Sequence, residues 1–159
     1  MQLALTFRAA TADDLPDIVA MLADDSLGAQ RERLDEPLAH AYSTAFEAIV
    51  ADPNNELIVA ALEGRVVGVL QLTFIPGLSH QGSWRAIVES VRVRSPLRGR
   101  GIGRMLLDHA ISQARERACR IVQLTSNKSR ADAVRFYESL GFRATHEGMK
   151  LDLPQLGSG

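Results

Sequence analysis

Cysteine occurs once in this 159-residue chain, at Cys119, so neither an intramolecular disulfide nor a multi-cysteine zinc site can form. Lysine is almost missing: Lys128 and Lys150 stand against 16 arginines, which reads as a compositional bias rather than a sign of function. Aromatic residues make up 5% of the chain and the formal net charge is −1. That pairing argues against a nucleic-acid binder, though not against a local basic site. No apolar run approaches the roughly 20 residues of a membrane span, and the N-terminus lacks the basic-then-apolar order of a signal peptide. A cytoplasmic protein with no membrane partner is expected. The four histidines lack close ligand spacing, so no metal site is expected. What the chain does have is 46% hydrophobic and 23% charged residues, the mix of a soluble globular protein. At this length roughly 70% of the unfolded surface can be buried, enough for one domain without a covalent staple.

Apolar periodicity divides the chain. Leu3 to Phe7 reads as a strand. Thr11 then offers an N-cap hydroxyl ahead of Asp13 and Asp14, and Leu15, Ile18, Val19 and Leu22 share one helical face. Asp24 to Glu36 reads as a loop, and Leu38, Tyr42, Ala45, Phe46 and Ile49 mark a second helix. Leu57 to Leu62 and Val66 to Ile75 are β-rich runs joined at Glu63-Gly64-Arg65, and Trp84 to Arg94 reads as a third strand of an antiparallel meander. A helix follows with Ile102, Met105, Leu106, Ala110 and Ala114 on one face. Ile121 to Thr125 reads as a strand, Ala131 to Leu140 as a helix, and Phe142 to Leu153 as a last strand turning near Glu147-Gly148. The expectation is a single mixed α/β domain over residues 3–153, followed by a tail over 154–159.

One segment carries chemistry. Arg98-Gly99-Arg100-Gly101-Ile102-Gly103 lies between a strand and an amphipathic helix. Glycines let successive backbone N–H groups converge, and a helix start adds partial positive charge. Alone, the glycines read as a tight strand-to-helix connection. With Arg94, Arg98, Arg100 and Arg104 around them they suit a diphosphate. The segment lacks the Gly-Lys-Ser/Thr ending of a P-loop and the early βαβ unit of a dinucleotide site.

Val91-Arg92-Val93-Arg94-Ser95-Pro96-Leu97-Arg98-Gly99-Arg100-Gly101-Ile102-Gly103 resembles the central acetyl-CoA motif, Q/R-x-x-G-x-G/A, of the GNAT family of N-acetyltransferases. Arg8 to Pro16 resembles that family's first strand and helix start, and Ala133 to Phe142 its late helix and strand. The three pieces occur in order from about Phe7 to Phe142. The resemblance implies a mixed sheet, flanked by helices, splayed between its fourth and fifth strands. It also implies acetyl-CoA as acetyl donor, with backbone N–H groups from Arg98 to Arg104 (Arg98, Gly99, Arg100, Gly101, Ile102, Gly103, Arg104) on its pyrophosphate. The pantetheine arm would pair with the strand Val91-Arg92-Val93 through the backbone of Val91 and Val93.

Moving an acetyl group from a thioester to an amine needs a neutral amine, a stabilised oxyanion and a proton for the thiolate. An alkylamine with a pKa of about 10.4 is mostly protonated at pH 7, so a proton acceptor helps. Tyr137 matches the family's general acid; its other reading is an aromatic core residue beside Phe136. Glu89 is the candidate base, and strand alternation sets it on one face with Ile87, Val91 and Val93. Its other reading is a structural carboxylate, and a bulge in the strand would change the face. The resemblance gives the oxyanion donor as the Val93 N–H. Many members carry an asparagine seven residues before the tyrosine. Here that position is Arg130, with Asn127 three residues earlier, and either is a candidate contact to the coenzyme.

The reaction implied is direct attack in a ternary complex, with Cys119 too far from the motif in sequence for a covalent route. The alternative is a module that binds acetyl-CoA without turnover. Acceptors left open are a small amine or amino acid, an antibiotic, and a protein amino group; a homodimer is also open. Asp24, Asp25, Glu32, Asp35 and Glu36 read either as a lure for a cationic amine or as a solvated acidic loop. His80 and His146 could line an acceptor pocket, whereas His40 reads as a surface residue and His109 as a helix-face one.

Overall fold

The computed structural model describes residues 4–155. The chain forms two compact units, one running to Leu124 and the other starting at Thr125. The first unit holds a five-stranded sheet in the order β1-β2-β3-β4-β5: β1 (Leu5–Ala9), β2 (Asn55–Leu62), β3 (Arg65–Pro76), β4 (Trp84–Val93) and β5 (Ile121–Leu124). Neighbours are antiparallel through β4, and β5 joins parallel to β4. This is the expected mixed sheet flanked by helices. β1 runs two residues past the expected end at Phe7, because its register is set by β2: Leu5 pairs with Leu62 and Ala9 with Ile58. Leu3, part of the expected first strand, and residues 156–159 of the expected tail lie outside the described residues.

The β2–β3 turn is built on Glu63 and Gly64, both at positive φ (50° and 80°), with Leu62 paired to Arg65. Two left-handed residues match the twist of a tight hairpin, and glycine takes the second at no steric cost. β3 is buried on both faces through Val66–Leu70, which is why its sequence reads as a continuous apolar run. On one face the helix Leu15–Ala23 sends Ile18 and Met21 against Val59, Val66 and Val69. On the other the helix Ile102–Glu116 buries Ile102, Leu106, Leu107, Ala110 and Ala114, none more than 1% exposed. Its stripe follows the period of 3.6 expected of a core-facing helix.

The entry to the first helix is tied to β1. Arg8 donates to Asp14 through Nη1 at 2.6 Å and Nη2 at 2.9 Å, and the Thr11 N–H reaches Asp14 Oδ2 at 2.7 Å. The Arg8 guanidinium and then the Thr11 N–H hold the buried Asp14 carboxyl down to about 2. A four-residue helical turn, Gly28–Arg31, interrupts the expected Asp24–Glu36 loop, and a third helix spans His40–Ala51.

The second unit contains the helix Ala131–Ser139. The strand expected over Phe142 to Leu153 does not form: no described residue beyond that helix lies in a strand. Met149, Leu151 and Leu153 alternate as strand residues do, but they stand 93%, 86% and 71% exposed. Alternation supplies only a face; a strand also needs a neighbour to satisfy its backbone, and the sheet ends at β5.

Candidate active site

β4 and β5 pair only from Arg85↔Ile121 to Val88↔Leu124, where β5 stops. β4 continues to Val93. Glu89 to Val93 therefore has β3 along one edge and no strand of the sheet along the other. An open strand edge presents unpaired N–H and C=O groups to any extended ligand rich in amides.

A bulge lies at the head of this open stretch. Gln71 pairs with Glu89 and Val69 with Arg92, so Ser90 and Val91 together oppose the single residue Leu70. Ser90 takes the left-handed conformation, φ 55°. The extra residue inverts the alternation. Glu89 keeps company with Ile87, as expected, but Val93 pairs with Gly68 and falls on the opposite face. Arg92, not Val93, shares the Glu89 face. The expected grouping of Glu89 with Val93 is corrected accordingly.

Beyond β4, Pro96 sits in a short 3-10 turn, Ser95–Leu97, and the chain enters the glycine segment. Gly99 and Gly101 have φ of 77° and 83°, and a Cβ at either would meet nothing within 4 Å. Glycine is needed here for the backbone angle, and the space above the turn is open. Gly101 caps the helix Ile102–Glu116, its carbonyl accepting from Met105 N–H at 3.1 Å. Gly103 lies inside that helix and has no positive φ. N–H groups in the first turn of a helix have no intrahelical acceptor, so the turn offers donors and dipole to an anion, with neither Gly99 nor Gly101 carrying a side chain over the backbone.

The expected arginine ring divides. Arg94 faces the first helix, donating to Val66 O at 2.6 Å and Asp17 Oδ1 at 2.5 Å. Arg98 donates to Val93 O at 3.1 Å and Asp24 O at 2.9 Å, with Asp24 Oδ2 at 3.4 Å. Arg92 donates to Val91 O at 2.9 Å and lies 3.5 Å from Asp25. Arg100 and Arg104 stand exposed on the turn and the first helical coil. Four of the five loop acids are taken up in the same way: besides Asp24, Asp25 also accepts from Gly28 N–H, Glu32 accepts from the Tyr42 hydroxyl, and Asp35 pairs with Arg33, while Glu36 stands exposed. Those four carboxylates have partners within the loop, the neighbouring helix and β4 or the turn beyond it.

Glu89 is exposed on the sheet face. Beside it, β2 and β3 carry a polar row that the sequence reading passed over: Asn55, Gln71 and Thr73, all half-buried. The signal was present in β3, where Gln71 and Thr73 interrupt an apolar run at a spacing of two. A cavity of about 590 Å³ lies elsewhere, lined by Met21, Asp24, Leu34, Leu62, Arg94 and Leu97 among others, and Glu89 is not part of it.

In the second unit Tyr137 is half-buried on its helix, with Phe136 at 5.3 Å and Phe142 edge-on at 6.0 Å. Asn127 turns its Oδ1 onto the Ser129 N–H (2.9 Å) and hydroxyl (2.8 Å), and Arg130 heads the helix. Burial raises the Cys119 thiol, which leaves it a poor nucleophile. His109 stacks on Phe7 at 4.9 Å, a packing role; His40 bonds Ser43, while His80 and His146 are exposed. Among the described residues no group of three or more His, Cys, Asp or Glu could hold a metal, and no helix is long and apolar enough to cross a membrane.

The parallel β4–β5 pair thus ends at Val88 and Leu124, and the β4 edge beyond it leads to a glycine turn at a helix start. The chain belongs to the acetyltransferase (GNAT) family, whose model matches residues 19–142. It is 31% identical to the aminoalkylphosphonate N-acetyltransferase of Salmonella typhimurium over 87% of this chain and 85% of that protein. It is 36% identical to the glucosamine 6-phosphate N-acetyltransferase of Trypanosoma brucei brucei over 57% of this chain and 59% of that protein. Among solved structures it is similar to a protein of Bacillus halodurans C-125 described as a transcriptional regulator, at 54% identity and a TM-score of 0.91, covering 94% of this chain and 99% of that one.

Proposed function

We propose that this chain moves the acetyl group of acetyl-CoA to a primary amine by direct attack in a ternary complex, with residues 3–153 acting as one catalytic domain in the cytoplasm. The observation that carries this is the open β4 edge from Glu89 to Val93 running straight into the open glycine turn. Acetyl-CoA supplies a thioester whose carbonyl carbon accepts the amine. The turn from Arg98 to Arg104 binds its diphosphate through backbone N–H groups. Val91 and Val93 pair with its amide-bearing arm, as an added strand would, and the Val93 N–H serves as oxyanion donor. Asn127 and Arg130 give further contacts to the coenzyme. Glu89 takes a proton from the acceptor ammonium, and Tyr137 returns one to the departing sulfur.

The acceptor is a small amine that also carries a phosphate or phosphonate. The names of the two N-acetyltransferases described above specify an amine joined to such a group, and Arg85 stands exposed on the Glu89 face of β4. The test is thiol release from acetyl-CoA with an aminoalkylphosphonate, glucosamine 6-phosphate, and matched amines lacking the anion. Faster turnover of the anionic amines is expected; equal rates would overturn the acceptor class. A second reading, coenzyme sensing without turnover, is favoured by the 54%-identical structure described as a regulator. Binding of acetyl-CoA with no thiol release from any amine would establish it. No rise in melting temperature at millimolar acetyl-CoA would overturn both.

A further inference from the structure

We propose that Gln71 is a specificity residue for the acceptor, its Oε1 accepting an N–H of the acceptor ammonium beside Glu89. The proposal rests on the acetyl-transfer reading above for its choice of ligand, and on the following geometry for its residue. Asp52, at the end of the helix His40–Ala51, accepts from Asn55 Nδ2 at 2.6 Å. An ionised carboxylate only accepts, so Asn55 must turn its amide nitrogen to Asp52 and its oxygen the other way. Asn55 Oδ1 then accepts from Thr73 Oγ1 at 2.7 Å and from Gln71 Nε2 at 3.2 Å. Gln71 is thereby fixed in turn: its nitrogen is committed to Asn55, and its Oε1 is the acceptor left over. A flipped Gln71 would set two amide oxygens against each other.

Gln71 and Glu89 are Cα partners across β3 and β4. Side chains directly opposite in an antiparallel pair have Cβ atoms about 4.5–5.5 Å apart, so both can reach one small ligand. The pair thus offers a carboxylate and an amide oxygen, which suits a primary ammonium with its three N–H donors and not a quaternary one. Asp52 and Asn55 are positioning residues; they act only through Gln71.

The test follows the Gln71 side-chain amide by NMR in the ¹⁵N-labelled full chain while methylammonium chloride is added at constant ionic strength, with tetramethylammonium chloride as the matched cation lacking N–H. We expect a saturable shift with methylammonium and an apparent affinity about 10-fold weaker with tetramethylammonium. Asn55→Leu, which releases the Gln71 amide, should weaken the methylammonium response while the wild-type contrast stands on its own. No saturable shift with methylammonium, or an equal one with tetramethylammonium, overturns the proposal. Neither acetyl-CoA nor turnover is needed. A chain that binds acetyl-CoA but not methylammonium refutes the role of Gln71 alone, and one that binds methylammonium but not acetyl-CoA refutes the acetyl-transfer reading alone.

Discussion

Replacing Gly101 with alanine and, separately, with asparagine pulls apart the two demands made on that position. Its φ of 83° is a left-handed angle, and a Cβ there meets nothing within 4 Å. Alanine therefore adds no internal clash, and its cost to the folded protein is the backbone angle alone, about 1–2 kcal/mol. In a chain of this size each kcal/mol lowers Tm by about 2–4 °C, so Gly101→Ala should melt about 2–8 °C below wild type. Asparagine tolerates the left-handed region, and Gly101→Asn should lose less than about half of that. Coenzyme binding should order the variants differently. Both side chains occupy the open space above the turn, where an anion must approach the backbone, and losing one charge-assisted hydrogen bond weakens binding about 10-fold or more. Thermal melts without ligand and calorimetric titration with acetyl-CoA give the two numbers. A Gly101→Asn protein that melts near wild type and binds acetyl-CoA with unchanged affinity would refute the diphosphate assignment of this turn.

Tyr137→Phe removes one hydroxyl and should lower kcat by about 100-fold, with the acetyl-CoA dissociation constant within about twofold of wild type; pre-steady-state and binding measurements check it. Glu89→Gln should lower kcat/KM for the amine and leave acetyl-CoA binding intact, read by the same pair of assays. Asp14 has its pKa depressed to about 2 in the folded chain against about 3.9 unfolded, so between those values the unfolded state binds more protons and stability rises with pH. The pairing is fully present above about pH 4, contributes about 2 kcal/mol there, and is lost as pH falls through about 2; urea unfolding across that window should show the slope in wild type and not in Asp14→Asn. Leu106, fully buried at 0% exposure, should cost about 2–5 kcal/mol when cut to alanine, measured by chemical unfolding.

The parts legible from residues alone were those fixed by local chemistry. The stripe from Ile102 to Ala114 could only pack one way, and glycines at 99 and 101 before a helix start implied the open turn that the fold contains. What escaped depended on partners far away in the chain. The Ser90 bulge has no glycine or proline to announce it, because a serine occupies the left-handed position and the neighbouring strand sets the register. Asp24 and Asp25 looked like free acids until Arg98 and Arg92 reached them from β4 and the turn beyond it. The alternation of Met149, Leu151 and Leu153 was real, but whether a strand forms is decided by a neighbour, not by the pattern.

The bulge has a further consequence, which concerns counting. Along β4 the sheet face of every residue is decided by parity, and Ser90 or Val91 is the one odd step between Glu89 and Arg92. Removing a single residue there would heal the ladder and let the strand pair regularly with β3. It would leave the faces as they are: Glu89 and Arg92 would then stand two positions apart, still opposite Gln71 and Val69 and still on one face. The bulge is thus what keeps an odd step in register: with the full length and a regular ladder Glu89 and Arg92 would fall on opposite faces, whereas a one-residue deletion takes away only the local bend and the left-handed Ser90.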